Sequence, residues 1–264
     1  MGERTGIAWT DHTFNPWRGC EKVSPGCANC YAATLSKRNP AVLGEWGKGS
    51  ARVMAAESYW RLPVKWNLDA QKTGIRRRVF CASLADVFEV RPDLEAPRAR
   101  LFRIIEETPW LDWQLLTKRP ESARWLALKA GWGAWPSNAW AGVTAEDQQR
   151  ADERIPELLK IQADTRFVSY EPAIGPVDFR RWLVGIDWII FGGESGNGAR
   201  QCDAEWARST RKQCAAIGIP FFMKQLGAVA MDLAFTPGRI HLVDRAGSDP
   251  SEWPPFLRVQ EFPW

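Results

Sequence analysis

From Val79 onward the chain repeats one rhythm: a short apolar run, a polar cluster, then a stretch with helical periodicity. Runs at 79–83, 113–117, 139–143, 166–170, 188–191 and 219–223 read as buried strands. Short buried strands that alternate with helices make a parallel sheet, because each crossover returns right-handed onto the same sheet. The expected fold is therefore α/β, a partial or closed (β/α) TIM-type barrel with parallel strands; a doubly wound sheet is the alternative. A first strand is expected at 7–10, a helix after Cys30, and a helix over 51–60 capped by Ser50 and ended before Pro63. Further helices are expected from Pro97, over 121–129, over 146–161 with a kink or break at Pro156, and from an Asp203 cap through Ile217. The expected organisation is one barrel over 1–236 and a Pro- and Trp-rich extension over 237–264 packed on it.

In such folds the chemistry sits at the carboxyl ends of the strands. Those ends carry Ser83 and Asp86; Thr117, Lys118 and Arg119; Thr144, Glu146 and Asp147; Ser169 and Glu171; Gly192, Gly193, Glu194 and Ser195; and Lys224 and Gln225. Taken singly, each is explained equally well as a helix cap or a surface ion pair. The set at one end of the sheet points to a site. Two glycines after an apolar strand let a ligand approach the backbone, and Glu194 beside them could accept from an amino group.

Three of the six cysteines, Cys20, Cys27 and Cys30, lie in a C-x6-C-x2-C segment punctuated by Pro16, Gly19, Pro25 and Gly26. That punctuation makes an irregular loop, which can turn several thiolates toward one point. Three thiolates are one short of a closed tetrahedral zinc site. They suit a [4Fe-4S] cluster whose fourth iron stays open to an outside ligand such as S-adenosylmethionine. Zinc with His12 as fourth ligand, disulfides and free packed thiols are the competing readings. Cys81, Cys202 and Cys214 fall in strand or helix patterns and read as small buried hydrophobes.

The 264 residues are 45% hydrophobic, without a run of 18 apolar residues, so a globular chain that does not span a membrane is expected. The polar start M-G-E-R-T-G is not a signal peptide, and thiols held for a metal fit a reducing cytoplasm. A net charge of +4 is a mild pointer to a polyanion. Arg76, Arg77 and Arg78, or better Lys118 and Arg119, are the candidate phosphate contacts. The 16 tryptophans read mainly as packing, although indoles also stack on bases.

The loop G-C-E-K-V-S-P-G-C-A-N-C-Y-A at 19–32 is accompanied by T-K-R-P-E at 117–121, G-V-T-A-E-D-Q at 142–148 and S-Y-E-P at 169–172. G-G-E-S-G follows at 192–196 and F-F-M-K-Q-L-G at 221–227. Over roughly residues 7–230 the chain resembles the three-cysteine-motif family of phage and mobile elements, which is related to radical S-adenosylmethionine enzymes. The resemblance implies a partial TIM barrel with a [4Fe-4S] cluster on Cys20, Cys27 and Cys30, and S-adenosylmethionine as cofactor. The cofactor-binding candidates are then Tyr31, Ser83, Ser169, Gly192, Gly193, Glu194 and Ser195; the catalytic candidates are Lys118, Glu171 and Lys224. The chain departs from the radical enzymes in two ways. Its first cysteine gap is six residues where theirs is three, and its Gly-Gly-Glu follows a later strand than theirs. The expected activity is one-electron cleavage of S-adenosylmethionine to a 5′-deoxyadenosyl radical. That radical would abstract hydrogen from a DNA or RNA substrate, in repair or modification. A partner protein encoded nearby fits the same setting. A non-catalytic iron-sulfur or zinc nucleic-acid-binding protein is the alternative.

Overall fold

A computed structural model describes residues 5–234 and 237–263. The first four residues of the polar N-terminus and the expected boundary at 236 lie outside them. Seven strands form one parallel sheet: β1 (His12–Thr13), β2 (Arg77–Cys81), β3 (Leu111–Thr117), β4 (Ala139–Thr144), β5 (Arg166–Tyr170), β6 (Trp188–Gly192) and β7 (Phe221–Gln225). They neighbour one another in chain order. Helices α1 (Tyr31–Ser36) and α2 (Leu62–Thr73) lie between β1 and β2. Single helices α3 (Glu95–Glu107), α4 (Pro120–Lys129) and α5 (Gln148–Leu159) occupy the next three crossovers, and α6 (Ala204–Ala215) joins β6 to β7. This is the α/β fold of a partial TIM-type barrel.

The chain divides into two compact units, one made of 1–23, 32–142 and 160–165, the other of 24–31, 143–159 and 166–264. The first unit is built on aromatic packing. Phe14 is fully buried, stacks on Tyr59 at 5.1 Å and meets Trp60, Trp66 and Trp113 edge-on. Each such pair adds about 0.5–1.5 kcal/mol beyond its buried area. Trp9, Trp17, Trp132 and Trp140 are buried as well and belong to the core, whereas Trp125 is exposed.

In the second unit β5, β6 and β7 bury nearly every side chain, as strands covered on both faces do. β7 ends the sheet order, and the C-terminal segment covers its edge. Met223 N–H donates to the Val259 carbonyl at 2.8 Å, Phe221 N–H to the Glu261 carboxylate at 3.0 Å, and Phe222 bridges Gln260 antiparallel. The backbone groups of an open edge are thereby paired, which removes a template for association.

Two local expectations are corrected. Residues 7–10 form a turn, closed by Thr10 N–H donating to the Ile7 carbonyl, and the first strand is His12–Thr13. Residues 51–60 do not make a helix: Val53–Met54 pairs antiparallel with Trp17–Arg18, and a one-turn helix follows at Glu57–Trp60. Pro63 opens α2 instead of ending a helix, since proline's missing N–H costs nothing in a first turn. Pro156 lies inside α5 without ending it. Asp203 caps α6 by accepting from the Glu205 N–H at 3.0 Å.

Candidate functional site

In the first unit the loops after β2 and β3 organise the segment that leads to Cys20. Asn15 is fully buried; its amide oxygen accepts from Leu84 N–H at 2.7 Å and its amide N–H donates to Ser83 Oγ at 3.1 Å. Arg119 follows β3 and turns inward. It donates to Asp86 Oδ2 at 3.0 Å, to the Glu21 carbonyl at 2.9 Å and to Cys20 Sγ at 3.8 Å. Asp86 also accepts from Thr117 Oγ1, from the Lys118 N–H and from the Phe88 N–H. A second buried pair, Arg52 with Glu89 at 2.5 Å, completes the surroundings, and Arg98 donates to the carbonyls of Val87 and Glu89. Burial, with Asp86 adding to it and Arg119 opposing, pushes the Cys20 thiol up to about 12. The free thiol thus keeps its proton near neutrality, and a metal would have to displace it.

In the second unit the segment 24–31 carries Cys27 and Cys30. Glu146, just past β4 and fully buried, accepts from Ser24 Oγ and from the Gly26 N–H at 3.3 Å, and pairs with Arg154 of α5 at 2.9 Å. A side chain at position 26 would put its Cβ 2.6 Å from the Glu146 carboxyl carbon, so only glycine admits this contact. Ser24 Oγ lies 3.8 Å from Cys27 Sγ. Farther along, Asn29 donates to Glu194 at 3.1 Å and to the Gly198 carbonyl at 2.8 Å. Glu194 follows β6 and also receives Arg200 through its backbone N–H at 2.8 Å, its Nε at 3.0 Å and its Nη2. Burial opposes charge on Glu194, but Arg200 and Asn29 outweigh it and hold the carboxyl below its usual range.

The remaining candidates of this unit also sit at strand ends. Glu171 follows β5, and its Oε2 accepts from Lys224 of β7 at 2.6 Å. Its Oε1 is buried and accepts no hydrogen bond among the described residues. Ser169 is buried in β5, Ser195 is half-buried, and Tyr31 is half-exposed at the start of α1. Gly192 and Gly193 serve close packing. A Cβ on Gly193 would stand 2.2 Å from the Leu226 carbonyl oxygen, and one on Gly192 would stand 3.1 Å from the Glu171 carboxyl.

Four of the five candidate phosphate contacts pair with carboxylates. Arg76 pairs with Asp112 at 2.6 Å, Arg77 and Arg78 pair with Asp11, and Arg119 is buried on Asp86. The His12 ring lies flat on Trp66 at 4.3 Å. None of the six cysteines is in a disulfide, and Cys81, Cys202 and Cys214 are fully buried. Among the described residues no three His, Cys, Asp or Glu side chains already converge on one point. Sequence reasoning did not find Asn29, Arg154 or Arg200, whose contacts join distant parts of the chain. Their one local signal was position, Asn29 between two cysteines and Arg200 in the glycine-rich loop after Glu194.

A family model described as "Protein of unknown function (DUF5131)" matches residues 4–247. The chain belongs to that family. The match takes in both cysteine-bearing segments and every strand of the sheet. No curated protein and no solved structure matches the chain.

Proposed function

We propose that the protein is an iron-sulfur enzyme of the radical S-adenosylmethionine type; a nucleic-acid substrate would rest on the net charge of +4, since Arg76, Arg77, Arg78 and Arg119 pair with carboxylates. One observation carries the reading. In each unit, the segment bearing cysteines is tied by buried polar contacts to carboxyl ends of parallel strands, where such folds place their chemistry. Cys20 is tied through Arg119 and Asp86, and the Cys27–Cys30 segment through Glu146 and through Asn29 with Glu194. The donor chemistry fits: three thiols, none of them in a disulfide, would supply three ligands to a [4Fe-4S] cluster and leave one iron for an outside ligand. The orphaned Glu171 Oε1 fits a cofactor as well, since a buried acceptor without a donor costs about 1–3 kcal/mol.

Cys20, Cys27 and Cys30 would hold the cluster, and Glu171 would accept a hydrogen bond from S-adenosylmethionine. When bound, a cluster of this kind supplies one-electron reduction of that cofactor. The chain's own residues do the positioning. Glu146 and Arg154 fix the turn before Cys27. Arg200 and Asn29 occupy Glu194, which makes Glu194 an anchor of the Cys30 segment and leaves Glu171 as the better acceptor for the cofactor. Lys224 neutralises one oxygen of Glu171 and so favours a neutral donor, a hydroxyl or an amide, at the other. Among the described residues no helix is long and apolar enough to cross a membrane, and a reducing cytoplasm would keep the thiols ready for iron.

The test is anaerobic reconstitution with iron and sulfide, then incubation with S-adenosylmethionine and dithionite. Release of 5′-deoxyadenosine is expected, and Glu171→Gln should reduce it at limiting cofactor. An iron-loaded protein that releases none would reduce the reading to a non-catalytic cluster protein. Colourless protein with stoichiometric zinc would remove it altogether.

A further inference from the structure

Arg119 has three partners and each of them bears on Cys20. One guanidinium nitrogen donates both to Asp86 and to Cys20 Sγ, at 3.0 and 3.8 Å, and another holds the Glu21 carbonyl at 2.9 Å. The side chain is 10% exposed, so water screens these contacts little. Asp86, in turn, is fixed by Thr117, by the Lys118 N–H and by the Phe88 N–H. The guanidinium is therefore held from behind and aimed at the sulfur. Asp86 and Glu89 oppose negative charge on the Cys20 sulfur, and Arg119 is the cation that contacts it and favours that charge.

We infer that Arg119 is a positioning residue that fixes Cys20 and raises the reduction potential of the cluster bound there. The inference rests on the cluster proposed above. Hydrogen bonds to the sulfurs and local charge set the potentials of iron-sulfur clusters, because the reduced form carries one more negative charge. A buried guanidinium against a ligating sulfur stabilises that form. In the redox step one electron enters from a low-potential donor, and no atom is transferred.

The experiment compares wild type, Arg119→Lys and Arg119→Gln as full-length proteins reconstituted anaerobically. Dithionite supplies the electron, and EPR follows the reduced cluster against potential. The midpoint should fall in the order wild type, Lys, Gln. The Gln variant should show at least a tenfold weaker reduction equilibrium, which is about 59 mV for one electron. A merely structural arginine would alter stability and iron content but leave the midpoint of the iron-loaded fraction in place. If the Gln variant fails to fold, the Lys variant decides. It keeps the charge but lacks the planar fork that serves Asp86 and Sγ together, so its midpoint must still fall. Iron in the variants with an unmoved midpoint overturns the inference alone. A wild type that binds no iron overturns the proposed function and this inference together.

Discussion

Glu194 receives four donors, three from Arg200 and one from Asn29. Its charge therefore helps to keep the Cys30 segment in place. Its folded pKa is depressed below the usual 4.5. A depressed carboxylate adds stability that is present above the unfolded value and is lost as pH falls through the folded one. Urea unfolding of wild type should thus weaken below about pH 4.5, and Glu194→Gln should flatten that part of the profile. At pH 7 the variant should be less stable by about 1.5–3 kcal/mol, the range for hydrogen bonds to a charged group. Equal acid sensitivity in the two proteins would count against Glu194 as an anchor. The sequence placed Glu194 at the right strand end. It could not show Arg200 folding back onto it, because that contact depends on how the loop after β6 closes.

The strand–loop junctions at β5, β6 and β7 set what can bind in the second unit. The two glycines after Phe191 suggest ligand approach, but their geometry assigns them to packing. At Gly193 a methyl group would collide with the Leu226 backbone, which cannot move without shifting the residues after β7. At Gly192 it would press less closely, at 3.1–3.3 Å, on side-chain atoms of Glu171 and Gln225 and not on backbone. Gly193→Ala should therefore cost more than the roughly 1–3 kcal/mol usual for overpacking, and Gly192→Ala should stay within that range. Thermal unfolding of the two variants checks this, and a Gly193→Ala protein as stable as wild type would refute it. The parallel strands from Arg77 to Gln225 were legible because each is an apolar run that ends in polar residues, whereas the short pairings at Cys202–Asp203, Ala230–Asp232 and Gly238–Arg239 were not. The start was not. His12–Thr13 is a two-residue edge strand without an apolar pattern, and Pro63 reads equally well as the end of one helix or the start of the next.

Across the whole molecule, the parallel order of the sheet and the grouping of Cys20, Cys27 and Cys30 were legible in the sequence. The hydrogen bonds and ion pairs that anchor the cysteine segments were not, since they join residues up to 165 positions apart. The arginines at 76–78 show the same limit. A basic run invites a phosphate, yet Asp112 pairs with Arg76, and Asp11 is shared by Arg77 and Arg78. The central claim is that Cys20, Cys27 and Cys30 hold a cluster, while Cys81, Cys202 and Cys214, all fully buried, are core. Iron content after anaerobic reconstitution of six single Cys→Ala variants tests it most directly. Wild type and the Cys81, Cys202 and Cys214 variants should bind about four iron atoms per chain. The Cys20, Cys27 and Cys30 variants should each lose them. A Cys20→Ala protein that retains full iron, or a wild type that binds none, would contradict the account.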